Sequence, residues 1–126
     1  MNKTSGKIGI IVGGGPAPGI NGVISASVIE AVMYGMPVVG ISGGFKTLFD
    51  GRKNCAMPLT IDDVSRIHNQ GGSILRTSRE YPERAKEKFK TLMSTLKRLG
   101  IRYLITIGGE GTLFMANWIE SISRAA

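Results

Sequence analysis

KIGIIVGGGPAPGIN, residues 7–21, is the stretch that decides the fold. Lys7 to Val12 form a short apolar run stopped by glycine, the mark of a strand buried on both faces. Four glycines and two prolines follow between Val12 and Asn21. A helical pattern begins at Gly19 and runs to about Tyr34, with Val23, Ala26, Ile29, Val32 and Met33 at helical spacing and Gly35 as its stop. MPVVGI, residues 36–41, reads as a second strand. Together these make a strand–loop–helix–strand unit, which crosses over right-handed in a parallel sheet.

Working outward, residues 42–58 are rich in glycine and polar side chains and read as loop, with a short strand near Ala56–Leu59. Thr60 is placed as an N-cap, with Asp63 three residues on and a helix to about Asn69. GGSIL, residues 71–75, reads as another short strand leading into RTSREYP. The clearest helix is 83–99, with Phe89, Leu92, Met93, Leu96 and Leu99 on one stripe and Gly100 as its end. RYLITI, residues 102–107, reads as another buried strand; GGEGT follows, then a helix to about Ser123. Strands alternating with helices predict an α/β, Rossmann-like layered domain with a mostly parallel sheet.

At 126 residues and 42% hydrophobic content, the chain is one domain at most, with enough apolar material for a core. The formal charge of +7 would suit nucleic acid or an anionic small molecule. Aromatics are only 6%, without the basic and aromatic interleaving of single-strand binders, so no nucleic-acid partner is expected. Cys55 stands alone, which excludes a disulfide framework and fits a small buried side chain in a reducing cytoplasm. The run 8–12 is too short for a signal peptide, and Glu30, Gly35 and Pro37 interrupt 22–41, so no membrane span is expected.

Two strand ends, Val12 and Ile107, carry glycine-rich turns that open into helices. Ligands of open α/β sheets bind outside the carboxyl ends of strands. Helix N-termini offer unpaired N–H groups and partial positive charge, and glycine lets backbone approach a phosphate closely. Between the loops in sequence lies RTSR, whose Arg76 and Arg79 are candidates to clamp phosphate oxygens. Glu110 is the carboxylate inside the second loop, suited to Mg²⁺ carried by a polyphosphate, with the Thr112 hydroxyl beside it. Taken singly, the glycines can be tight turns, the arginines surface charges and Glu110 a helix-terminal acid. Their convergence on one sheet edge favours the phosphate reading. His68 lacks a partner at metal-ligand spacing and reads as a solvated or satisfied helix residue. No G-x-x-x-x-G-K-[ST] sequence follows any strand, and Val39 to Ser42 carries no acid for a dinucleotide ribose.

The ordered segments KIGIIVGGGPAPGIN, FKTLFDG, GGSILRTSR and ITIGGEGT resemble the N-terminal half of the 6-phosphofructokinases over essentially the whole chain. The resemblance implies that residues 1–126 are the phosphate-donor-binding portion of such a domain. It implies phosphoryl transfer from Mg·ATP, or from pyrophosphate, to fructose 6-phosphate in glycolysis, in a homo-oligomer when complete. Backbone at Gly14 and Gly15 would approach the donor phosphates. Arg79 would bridge the transferring phosphoryl and its leaving phosphate. Gly109, Gly111 and Thr112 would line the polyphosphate, and Glu110 would hold Mg²⁺.

Several positions depart from the family's usual pattern. Glu110 and Pro16 stand where Asp is usual, and Ser42 replaces a frequent aromatic that would face adenine. Ser25 and Ile29 occupy the places of effector-binding arginines, so no nucleotide control is expected there. Gly111 is small where pyrophosphate-dependent relatives often carry a second Asp, which leaves room for ATP. The family's catalytic Asp follows the next strand, so residues 1–126 alone are expected to bind a donor weakly, to catalyse nothing measurable and to leave an open sheet edge. Two alternatives stay open: another kinase with a GGDGT-like loop, which has no need of GGSILRTSR, and a non-catalytic nucleotide-binding module.

Overall fold

The computed structural model describes residues 6–52, 54–79 and 82–125. Strand β1 (Lys7–Val12) is central and pairs in parallel with β2 (Val38–Ile41) on one side and β4 (Ile101–Ile107) on the other. Strand β3 (Ala56–Leu59) adds to β2 antiparallel, giving the order β3-β2-β1-β4. The α/β architecture and the mostly parallel sheet follow the sequence reading.

Side chains alternate across the sheet, so successive β1 residues feed two separate cores. Ile11, Val39 and Ile41 pack with α2 (Gly44–Phe49), α4 (Pro82–Arg98) and α5 (Glu110–Ala125). Ile10, Val12 and Val38 pack with α1 (Ile20–Met33) and with Val64 of α3 (Ile61–Val64). With both faces of the central strands β1 and β2 covered, the sheet is open at its strand ends and along the outer edges of β3 and β4.

Four local expectations need correction. In α1 the buried apolar positions are Ile20, Ile24, Val28 and Ala31, whereas Val23 and Met33 are exposed. That helix is apolar all round, so spacing alone does not select its inner face. Residues 44–49 form a helix rather than loop, anchored by buried Phe45 and Phe49 despite its glycine start. The helix after Thr60 ends at Val64 and continues only as turns, with Gln70 N–H donating to Ile67 O. GGSIL is not a strand: Leu75 is fully buried, but Arg76 N–H donates back to Ser73 O in a turn. Leu75 packs over Gly40 of β2, and the backbone bridges the sheet three residues later, in an isolated parallel bridge between Gly13 and Ser78.

Among the described residues no helix is long and apolar enough to cross a membrane. Cys55 is buried, as read from the sequence; His68 is exposed but lies in a turn beyond α3 rather than on a helix.

Candidate functional site

Four segments meet at the carboxyl ends of β1 and β4 and enclose a cavity of about 600 Å³. Gly13, Gly14, Gly15, Pro16 and Ala17 come from the β1–α1 loop, Ser78 and Arg79 from the segment before α4. Gly109, Gly111, Thr112 and Met115 come from the start of α5, and Phe45 from α2.

Backbone bonds fix these segments to one another. Gly13 N–H donates to Ile107 O at 2.9 Å, joining the first loop to the end of β4. Gly14 N–H donates to Ser78 O at 3.0 Å, while the Thr77 hydroxyl donates to Gly14 O. Lys46 N–H reaches Ser78 Oγ at 3.4 Å. Gly14 has φ 81, a conformation open to glycine at little cost. At Gly13 and Gly108 a Cβ would collide with Thr112 Oγ1, so both glycines make room for this buried side chain. Thr112 thus wedges between the loops as well as lining the cavity. Around Gly109 and Gly111 a Cβ would meet nothing within 4 Å, so their backbone faces open space.

Asn21, only 2% exposed, fixes the approach to the arginine segment. Its Nδ2 donates to Gln70 O and Gly71 O, and its Oδ1 accepts from Ile74 N–H. This side chain in the first turn of α1 therefore anchors the segment that leads into Arg79.

Of the residues named from sequence, Gly14, Gly15, Arg79, Gly109, Gly111 and Thr112 all line this one cavity. Glu110 is the first residue of α5 and is exposed; its two neighbours line the cavity and it does not. The pairing of Arg76 with Arg79 is corrected: Arg76 lines a separate cavity with Ser42 and Arg52. The turn at Ser73 to Arg76 and the φ of 57 at Arg76 separate the two guanidiniums. The cavity is also bordered by the first turn of α5, while α1 begins beyond its lining. Sequence reasoning missed Phe45, Met115 and Ser78 as lining residues. Phe45 lies in the quoted FKTLFDG segment, and only its reading as loop concealed it.

No ion pair engages Arg79 among the described residues, and its guanidinium Nη2 lies 3.1 Å from where a Cβ on Gly15 would stand. A cationic fork beside glycine backbone is a donor set for phosphate oxygens.

A family model described as Phosphofructokinase matches residues 7–124. The chain belongs to the phosphofructokinase family. It is 56% identical over 118 residues to the pyrophosphate–fructose 6-phosphate 1-phosphotransferase of Thermotoga maritima, covering 94% of this chain and 28% of that protein. It is 41% identical over 116 residues to the ATP-dependent 6-phosphofructokinase of Mycobacterium tuberculosis (strain ATCC 25618 / H37Rv), covering 90% and 33% respectively. The phosphofructokinase of Pichia pastoris in the T-state superposes with a TM-score of 0.86 at 28% identity, over 94% of this chain and 13% of that one. The chain thus spans about a third or less of the length of these relatives.

Proposed function

We infer that this chain binds the phosphoryl donor in a phosphofructokinase that converts fructose 6-phosphate to fructose 1,6-bisphosphate in the cytoplasm. Residues 1–126 are the N-terminal donor-binding portion of that enzyme. The observation that carries this reading is the convergence of two glycine loops and Arg79 on one cavity at the strand ends. Phosphoryl transfer depends mainly on positioning and charge neutralisation, which these groups supply. Backbone at Gly14 and Gly15 lies against the donor phosphates, and Arg79 spans the transferring group and its leaving phosphate. Gly109, Gly111 and Thr112 line the rest of the polyphosphate.

Mg²⁺ fits this arrangement as an ion brought in with the donor. Among the described residues no group of three or more His, Cys, Asp or Glu stands together. Mg²⁺ is commonly held by one or two carboxylates plus substrate phosphates, and Glu110 is the carboxylate available here. When bound, the ion neutralises charge on the phosphates. The sugar pocket and the base for its hydroxyl come from chain beyond these residues and from a neighbouring copy in a homo-oligomer.

ATP is the proposed donor, because Gly111 leaves open space beside the phosphate path. A second reading, pyrophosphate, is favoured by the names of the 56% and 45% identical relatives. Assaying the longer enzyme that carries residues 1–126 with fructose 6-phosphate and either Mg·ATP or Mg·pyrophosphate separates the two. Turnover with ATP supports the first, turnover with pyrophosphate alone moves the assignment to the second, and fructose 6-phosphate left unchanged by both contradicts the proposal.

A further inference from the structure

We propose that Arg52 and Arg76 form a second anion site, separate from the donor cavity and fitted to the phosphate group of a small ligand. They line a cavity of about 500 Å³ together with Ser42, Thr47, Asn54 and the buried Cys55. No carboxylate of the described residues lines it.

Arg76 carries the first argument. Among the described residues it is the only non-glycine with positive φ, at 57. An L side chain adopts that region at a cost unless its surroundings impose it. Here they do: Arg76 N–H donates to Ser73 O at 3.1 Å, and Ser73 Oγ donates to Arg76 O at 3.2 Å. Gly43 N–H donates to Leu75 O at 2.9 Å, clamping the preceding residue to the loop after β2. Glycine would hold this turn at lower cost, yet an arginine stands there and turns its cation to a cavity.

Charge balance carries the second. Arg76 has no ion pair among the described residues. Arg52 faces Asp50 at 3.9 Å, but the same carboxylate takes Lys88 Nζ at 3.3 Å. One carboxylate thus serves two cations, and the cavity keeps excess positive charge. Two guanidinium forks, with Ser42 and Asn54 as neutral donors beside them, match a tetrahedral oxyanion.

Glycine at position 76 deletes the cation while relaxing the backbone, so Arg76→Gly should fold with an unchanged or raised melting temperature. In an Arg79→Met background, which weakens phosphate binding in the donor cavity, inorganic phosphate should still bind by calorimetry. That residual affinity should fall by about tenfold in Arg79→Met/Arg76→Gly and in Arg79→Met/Arg52→Met, the loss of one charge-assisted contact. Glycerol phosphate binding with the same dependence would identify a phosphomonoester as ligand; binding of the inorganic ion alone would identify free phosphate. No phosphate binding in Arg79→Met, or binding that survives Arg76→Gly and Arg52→Met, overturns the proposal.

Discussion

The Oδ1 of Asn21 accepts the backbone N–H of Ile74 at 2.9 Å, across 53 positions of sequence. Its amide also satisfies the carbonyls of Gln70 and Gly71, so one buried side chain closes three backbone groups. Asn21→Leu leaves those groups unpaired, at a cost of about 1–3 kcal/mol each where water cannot replace the bond. Chemical denaturation should show a clear loss of stability. Donor affinity should weaken too, since residues 74–79 lose their anchor; a variant of full stability and affinity would refute this role.

Thr112 and Gly13 form a matched pair. A methyl group at position 13 collides with Thr112 Oγ1, so Gly13→Ala should destabilise by about 1–3 kcal/mol, the usual range for overpacking. Thr112→Ala removes the obstructing hydroxyl, so the double variant should lose less than the sum of the two single changes. Additive losses in a double-mutant cycle would show that the wedge is not real.

Gly15 tests the site without straining the fold. Its hypothetical Cβ approaches only the Nη2 of Arg79, at 3.1 Å, the far end of a flexible side chain. Gly15→Val should therefore displace Arg79 and lower donor affinity by about tenfold, the worth of a charge-assisted contact, while the melting temperature changes little. Equal loss of stability and affinity would point to a scaffold role instead.

Asp63 gives a pH signature at α3. Its carboxylate accepts the Thr60 backbone N–H at 2.8 Å and the Thr60 hydroxyl at 2.9 Å, and Thr60 Oγ1 accepts Asp63 N–H in return. The backbone bond, then the hydroxyl bond, hold its carboxyl below the ordinary aspartate range. A pKa lowered by folding contributes stability above the unfolded value and loses it as pH falls through the folded one. Asp63→Asn should thus melt below the parent protein at about pH 6, with the gap closing toward about pH 2. A constant gap across that range would exclude the charged carboxylate as the cause.

The sheet was legible because β1 and β4 are short apolar runs ended by glycine, the pattern of buried parallel strands, which β1 is; β4 pairs as read but is not buried, because it stands at the sheet edge with Arg102 and Tyr103 exposed. The cavity was legible for a related reason: glycines 13–15, 108, 109 and 111 stand at those strand ends. Other features depend on tertiary contacts that local pattern does not encode. The inner face of α1 is chosen by the sheet, since the helix is apolar on every side. GGSIL has strand composition, but Asn21 takes its backbone groups and leaves Leu75 to fill the core from a turn. The separation of Arg76 from Arg79 follows from that same turn, which spacing in RTSR does not reveal.

The central claim is that the cavity between Gly14, Arg79 and Gly111 holds a phosphoryl donor. Calorimetric titration of Mg·ATP and Mg·pyrophosphate into the protein and its Arg79→Met variant tests it most directly. The account predicts saturable binding of at least one donor, weakened by about tenfold or more in Arg79→Met with the melting temperature unchanged. Absence of binding to either donor, or equal affinity in the two proteins, would contradict it.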